Sequence, residues 1–377
     1  MAVRSRTNAG LGDQIMKYRA AFLSVVPSPY QRDIFAALSR RDDVDLRVDY
    51  LEAAAPDSPW PEKELPNYSR ILRGFWFSVG GARCHINLPL PDYRDRDLVI
   101  LNTMMSVTAQ CLMRGPLRRK PWVFWGERLA PRPPSRRDAL HNLLTAPLHD
   151  AAAIVGIGSL AETQYGARFP QPKHYCIPYH CELGAFASAP RAARDPGETV
   201  FLFCGQMIAR KGLDHLLAAF TALAERHAGV RLLLVGREAE LPELLAKLPE
   251  AVRARIKYAG FQPPEELPRF FAQADVFILP SRYDGWGVVV NQAIGAGLAV
   301  ICSDAVGAAH DLVEVGENGL LFPAGDVPSL TAAMDRFPCE PGLAARWGAV
   351  SRSRAADWSP DNGAAKWVRV FEEALSR

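Results

Sequence analysis

A chain of 377 residues and 41.5 kDa is more than one hydrophobic core normally organises, and at roughly 150 residues per domain it reads as two domains. Hydrophobic residues at 49% and charged residues at 23% exclude a disordered chain, a collagen and a coiled coil. The formal charge of +3 excludes a dedicated nucleic-acid binder, yet residues 1–190 hold 24 Lys/Arg against 18 Asp/Glu while residues 191–377 hold 20 against 23.

Residues 1–18 are polar, lack the apolar run of a signal peptide and read as a disordered extension. The run AFLSVVPSPY, stopped by Pro27 and Pro29, reads as a strand, QRDIFAALSRR as an amphipathic helix and DLRVDYL as a second strand. DLVILN (97–102), a helical stretch to Met113, PWVFWG (121–126), another helix and AAAIVGIG (151–158) continue the alternation. Continuous apolar strands alternating with helices imply a parallel sheet covered on both faces, here a Rossmann-like unit over 19–185. Residues 186–198 have the Ala/Pro/Arg/Gly character of a linker.

The pattern then restarts over 199–356: TVFLFCG, LDHLLAAFTALAERH, RLLLVG, KYAGF, PEELPRFFAQA, DVFILPS, NQAIGAG and AVICSD. Residues 357–377 carry a last helix, expected to pack back on the N-terminal unit. Two doubly wound α/β domains facing each other place the carboxyl ends of both sheets around one cleft. The stretch Gly285–Ser303 is uncharged over 19 residues, but its four glycines divide it into loop, helix and strand, so no membrane span is expected.

The seven cysteines are odd in number and form no C-x-x-C pair, which implies reduced thiols in the cytoplasm. His174, Cys176, His180 and Cys181 lie close together, but their spacing fits no zinc pattern and Pro178 interrupts them; a strand ending in a turn is expected, with no metal.

Two loops carry chemistry. In FLFCGQMIARKGLDHLLAAF, a strand ends at Gly205 and a loop with Gln206, Arg210, Lys211 and Gly212 opens a helix. Free helix amides, a permissive glycine and two adjacent cations suit a diphosphate; the same residues also fit a solvent-exposed Arg-Lys turn. In LPSRYDGWGVVVNQAIGAG, Asp284 is followed by Gly287, Val288 and Val289, whose amides could cradle a phosphate, and by Gln292. Asp284 and Gln292 could reach different parts of one extended ligand; alternatively Asp284 caps the helix and Trp286 fills core space.

Taken together, the two loops resemble the GT-B glycosyltransferases of retaining family 4, the group 1 transferases, which show G-R-L-x-x-x-K-G and then E-x-F-G-x-x-x-x-E. The matching strings here are Gly205-Gln206 through Lys211-Gly212, Asp284 through Gln292, GAGLAVICSD, and NGLLFPAGD at 318–326. The resemblance is strong from about Val200 to Asp326 and weaker in the N-terminal half, where VVPSPY and DLVILN sit in the expected places.

The resemblance implies a nucleotide-sugar donor on the C-terminal domain and a saccharide, lipid-linked or other hydroxyl acceptor on the N-terminal one. It implies retention of anomeric configuration, no catalytic metal and no cofactor beyond the nucleotide sugar. Lys211 matches the lysine that neutralises the diphosphate, with Arg210 beside it, and Asp284 the first glutamate, facing the donor sugar. Gln292 matches the second, facing the ribose diol; Gly287 and Val288 match the phosphate-binding amides, and Gly260-Phe261 the base site. Glu127, in WGERLAP, and Tyr30 are acceptor-side candidates.

Three departures stand out. Gln206 replaces an arginine, Asp284 is one methylene short, and Gln292 is neutral; losing one charge-assisted bond costs roughly 1–2 kcal/mol. The expected function is sugar transfer in polysaccharide or glycoconjugate assembly. Two alternatives remain: a nucleotide-sugar-binding homologue of reduced activity acting as a partner subunit, and a nucleotide-sugar epimerase, for which additional acid/base residues are not identifiable. Finally, Arg114, Arg118, Arg119, Lys120, Arg128, Arg132, Arg136 and Arg137 form a basic run around one acid, Glu127. They suit peripheral contact at the inner face of the cell membrane through Arg114, Arg118, Arg119 and Lys120, or an ordinary solvated arginine-rich face.

Overall fold

The computed structural model describes residues 17–54, 64–79, 82–130, 138–192, 195 and 197–376. Most of the expected N-terminal extension, residues 1–16, and Arg132, Arg136 and Arg137 of the basic run lie outside them.

The N-terminal unit is built on seven parallel strands: β1 (Tyr18–Ser24), β2 (Val44–Tyr50), β3 (Ser69–Ile71), β6 (Leu98–Leu101), β7 (Trp122–Gly126), β8 (Ala153–Gly156) and β9 (Lys173–Cys176). Their order is β3-β2-β1-β6-β7-β8-β9, so the winding reverses between β1 and β6. Between β3 and β6 the chain makes an antiparallel hairpin outside this sheet, β4 (Gly74–Val79) and β5 (Ala82–Asn87). The apolar runs account for the burial: Ala20 to Leu23 and Leu98 to Leu101 are shielded on both faces.

The C-terminal unit repeats the plan with β10 (Thr199–Cys204), β11 (Val230–Val235), β12 (Ile256–Tyr258), β13 (Val276–Leu279), β14 (Ala299–Ser303) and β15 (Gly319–Phe322). The order β12-β11-β10-β13-β14-β15 reverses between β10 and β13. The helix Leu213–Arg226 buries Leu213, Leu216, Leu217, Phe220, Leu223 and Ala224, the i, i+3, i+4, i+7 stripe of a helix lying on a sheet.

Residues 186–198 are not a bare tether. The short helix Gly184–Ser188 buries Phe186 edge-on against Phe271, 5.2 Å away, and the Arg191 guanidinium donates to the Ala274 carbonyl at 2.6 Å. The last helix, Pro360–Leu375, returns to the N-terminal unit: the Trp367 ring stands edge-on to Phe22 at 5.1 Å and to Trp125 at 5.3 Å. The chain therefore laces the two units at both ends. Among the described residues no helix is long and apolar enough to cross a membrane.

The NGLLFPAGD segment has a structural role. Asp326 caps the helix Val327–Cys339, accepting from the Ser329 amide at 3.0 Å and from its hydroxyl at 2.6 Å. Asp326→Ala is expected to lower stability by about 1 kcal/mol, read as a lower urea midpoint at unchanged slope. An unchanged midpoint would show that the preceding turn fixes the helix start without the cap.

Candidate functional site

The loops after β10 and β13 leave the switch point of the C-terminal sheet side by side. After Cys204 the chain passes Gly205 and Gln206, then makes a tight turn at Ala209–Lys211. Gly212 closes it at φ 69°, in the left-handed region, with its α-carbon pressed against the Pro280 carbonyl where a side chain would collide. The turn thereby aims Lys211 at the β13 loop. Its ammonium pairs with Asp284 Oδ2 at 2.5 Å, and Arg210 stands 3.9 Å from the other carboxylate oxygen.

Asp284 is held from behind. Its amide donates to the Ala305 carbonyl at 3.0 Å, its carbonyl accepts from Gly307 at 3.2 Å, and the Ser281 hydroxyl reaches the carboxylate at 3.4 Å. Trp286 is core, with its indole N–H donating to Asn291 at 2.8 Å, whereas Asp284 pairs with a cation instead of capping the helix Val289–Gly295. Gly287 and Val288 turn into that helix, the Val290 amide donating back to Gly287 at 2.9 Å. The first amides, Val289 included, point out of the helix start. Gln292 lies one turn further on, half-buried.

From the opposite wall, β7 delivers Glu127. The Tyr179 hydroxyl donates to its carboxylate at 3.2 Å, and the Tyr30 ring lies 4.9 Å from that of Tyr179. The carboxylate rests against Gly285, where any Cβ would overlap it. Water still reaches Glu127 through the cleft, but protein displaces part of its hydration, and Asp284 across the gap adds like charge. Both effects raise its carboxyl above the usual range; the Tyr179 hydroxyl, Lys211 and Arg210 pull the other way. Two carboxylates and two cations therefore meet at the facing sheet ends.

The units are tied around this cluster. Tyr283 donates through its hydroxyl to the Arg128 carbonyl at 2.6 Å, while the Arg128 guanidinium lies 4.6 Å over the Tyr283 ring and donates to the carbonyls of Asp284 and Ala305. Asp311 accepts from the Ser159 amide and hydroxyl, each at 3.1 Å, and Asn291 donates to the Tyr179 carbonyl at 3.1 Å. A separate row lies along the outer sheet ends. Gly236 donates to Gly260 at 2.9 Å, and Phe261 is exposed with the Arg237 guanidinium 5.6 Å above its ring.

The structure thus brings Lys211, Arg210, Asp284 and Glu127 into one cluster, with Tyr30 reaching it through Tyr179. Gly205 and Gln206 lie between β10 and the Lys211 turn, Gly205 donating to the Val235 carbonyl at 2.9 Å, and Gly260 and Phe261 stand apart at the outer strands. The basic run is divided: Arg128 belongs to the bridge between units, Lys120 donates to the Arg96 carbonyl and Arg114 to that of Leu143, and Arg118 and Arg119 are exposed. Tyr179 and Tyr283 carry no signal in the sequence, and Arg128, which reads there as one cation of the basic run, proves to bridge the two units.

The His/Cys segment does not converge. His174 and His180 each bond a backbone carbonyl, Phe169 at 2.8 Å and Pro178 at 2.9 Å, and burial pushes the Cys176 thiol up to about 12. The one grouping of three potential ligands among the described residues, His227, Asp335 and Cys339, lies at the opposite end of the helix Leu213–Arg226 from the Lys211 loop, and Arg226 already pairs with its Asp335 at 3.0 Å.

Two doubly wound sheets with a charged cleft between their carboxyl ends define the GT-B class. Residues 198–337 match the family model of the glycosyl transferases group 1. It is 29% identical over 222 residues to a D-inositol 3-phosphate glycosyltransferase of Streptomyces griseus, covering 55% of this chain and 46% of that protein. A glycogen synthase of Mycobacterium tuberculosis is 30% identical over 176 residues, or 45% of this chain and 42% of that protein. The chain thus spans less than half the length of these curated relatives. Among solved structures, sucrose-phosphate synthase from Thermosynechococcus elongatus superposes with a TM-score of 0.73 at 20% identity, covering 95% of this chain and 99% of that one. Anabaena HepE, solved in complex with UDP, gives 0.70 at 16% identity over 95% and 100%.

Proposed function

We propose that the chain is a retaining glycosyltransferase that moves a sugar from a nucleotide-sugar donor to a hydroxyl acceptor in polysaccharide or glycoconjugate assembly in the cytoplasm. The Lys211–Asp284 ion pair, flanked by Arg210 and faced by Glu127, carries this proposal. A diphosphate entering the cleft would draw Lys211 and Arg210 to its oxygens and release Asp284 to the hydroxyls of the donor sugar. Breaking the anomeric C–O bond leaves charge on the departing phosphate, so both cations bind the transition state more tightly than the ground state. The exposed Phe261 ring beside Arg237 suits stacking of the base. Glu127, on the N-terminal wall, orients the acceptor or the transferred sugar. The tie between the units holds the walls together over the reacting atoms and limits water.

The test is a panel of nucleotide sugars, uridine diphosphate donors first because HepE was solved with UDP, read by calorimetry and by turnover. Binding with transfer or hydrolysis supports a transferase. Tight binding without either supports the second assignment, a donor-binding partner of reduced activity, which Gln206 and Gln292 favour by replacing charged groups.

Gln292 also gives a gain-of-function test. Gln292→Glu restores a carboxylate to the ribose diol and should tighten donor binding about tenfold by calorimetry. Unchanged affinity would place the ribose elsewhere.

A further inference from the structure

We propose that Arg282 is a positioning residue for Lys211: its guanidinium clamps the Ala209–Lys211 turn to the β13 loop and so fixes the point at which a donor diphosphate meets the lysine. This role rests on the donor assignment above and deepens it. None of the turn's three residues is buried, so no core side chain of its own anchors it, and its shape depends on polar contacts. Arg282 supplies two of them. Its backbone amide donates to the Arg210 carbonyl at 2.8 Å, and its guanidinium donates to the Ala209 carbonyl. These are the two peptide carbonyls immediately before Lys211.

The guanidinium is itself held in place. It reaches Asp214, in the first turn of the helix Leu213–Arg226, through two parallel bonds, to Oδ1 at 2.9 Å and to Oδ2 at 2.6 Å. That contact keeps the Asp214 carboxyl below its ordinary range. Arginine can only donate, so His215 Nε2, 2.7 Å from the guanidinium, accepts as the bare nitrogen of a neutral ring. One side chain therefore ties together the β13 loop that carries it, the turn before Lys211 and the helix after it.

The bonding leaves Arg282 little to offer a phosphate directly. One terminal nitrogen donates to Ala209 and Asp214, the other to Asp214 and His215, so the four terminal N–H groups are matched by four acceptors. Lys211, by contrast, must leave Asp284 for the incoming diphosphate, and the turn has to hold while its ammonium changes partner. A displacement of about 1 Å at such a contact can cost up to about 10²-fold. Other holds remain without Arg282: the Ala209 amide donates to Glu240 at 3.0 Å, and the Arg210 guanidinium to the Tyr283 carbonyl at 3.0 Å. Loss of the clamp should therefore cost less than loss of the lysine.

The clamp can be read without turnover. UDP, GDP, ADP and dTDP are titrated into the full chain by calorimetry and the tightest is carried through the variants, since a free nucleoside diphosphate has the charge of the departing group. Lys211→Ala is expected to bind it at least about tenfold more weakly and Arg282→Ala about fivefold, whereas adding Arg282→Ala to Lys211→Ala should cost less than about twofold more. A merely structural loss would be the same in both backgrounds. Arg282→Lys keeps the charge but cannot span Asp214 and the turn, and should bind as weakly as Arg282→Ala. Should Arg282→Ala fail to fold, Asp214→Asn, which keeps the shape and loosens the clamp, should weaken binding in the same way and with the same dependence on Lys211. Full affinity in Arg282→Ala or Arg282→Lys, or equal losses in the two backgrounds, overturns the proposal while leaving the donor assignment standing. Unchanged affinity in Lys211→Ala, or no binding of any of the four by the wild type, overturns the donor assignment and the clamp with it.

Discussion

Lys211→Ala is expected to reduce turnover by about 10²–10³-fold, the loss that follows removal of one preorganised group at a site of developing charge. The lysine is the cation paired directly with Asp284, at 2.5 Å; Arg210 is more distant, at 3.9 Å, and donates to the Tyr283 carbonyl. Arg210 can attract a diphosphate but cannot occupy the same point. The loss should fall in kcat more than in KM, because the lysine meets more charge in the transition state than in the bound donor. An intact melting transition separates this from misfolding. Asp284→Ala should also be strongly impaired, and the double variant should lose less than the two losses combined, since each single change strands the other's charge. Near-wild-type transfer by Lys211→Ala would remove the diphosphate from this loop.

The difference between what the chain order shows and what only folding shows follows from the range of the interactions. Parallel strands buried on both faces are runs of Val, Ile, Leu and Phe, so TVFLFC, RLLLV and VFIL stand out and coincide with β10, β11 and β13. Gly212 and Lys211 lie in one loop, and their relation is local. The hairpin at 74–87 is hidden for the converse reason. Phe75, Trp76 and Phe77 are consecutive aromatics, so no alternation marks the strand, and Phe75 and Phe77 point outward while Trp76 shares the face of His85. Tyr179, Tyr283 and the bridging role of Arg128 are hidden because their value lies in meeting across 52 to 156 positions of sequence, as Tyr179 does with Glu127 and Arg128 with Asp284. Glu127 was visible as a carboxylate after a strand; that it faces a second carboxylate depends on how the two sheets are docked.

That confrontation leads to the second large effect, on Glu127. Its carboxyl is raised by partial loss of hydration and by Asp284, so the native protein binds a proton there at a pH where the unfolded chain has released it. Native stability therefore falls as pH rises from the unfolded value through the raised one, because ionisation is less favourable in the fold. Glu127→Gln keeps the shape and can still accept the Tyr179 hydroxyl bond, but carries no charge. At neutral pH the variant should melt at a higher temperature than the wild type, and the gap should close as the buffer is taken below the unfolded pKa. Turnover should move the opposite way, falling by about 10²-fold if Glu127 orients a hydroxyl through its charge. In the wild type the acid limb of the rate profile should sit above the ordinary glutamate range, and in the variant it should disappear. A residue that only packs would not raise stability, lower turnover and remove a titration together. Stabilisation without loss of turnover would make Glu127 a tolerated charge in the wall between the units and move the acceptor-facing role to Tyr30 or elsewhere.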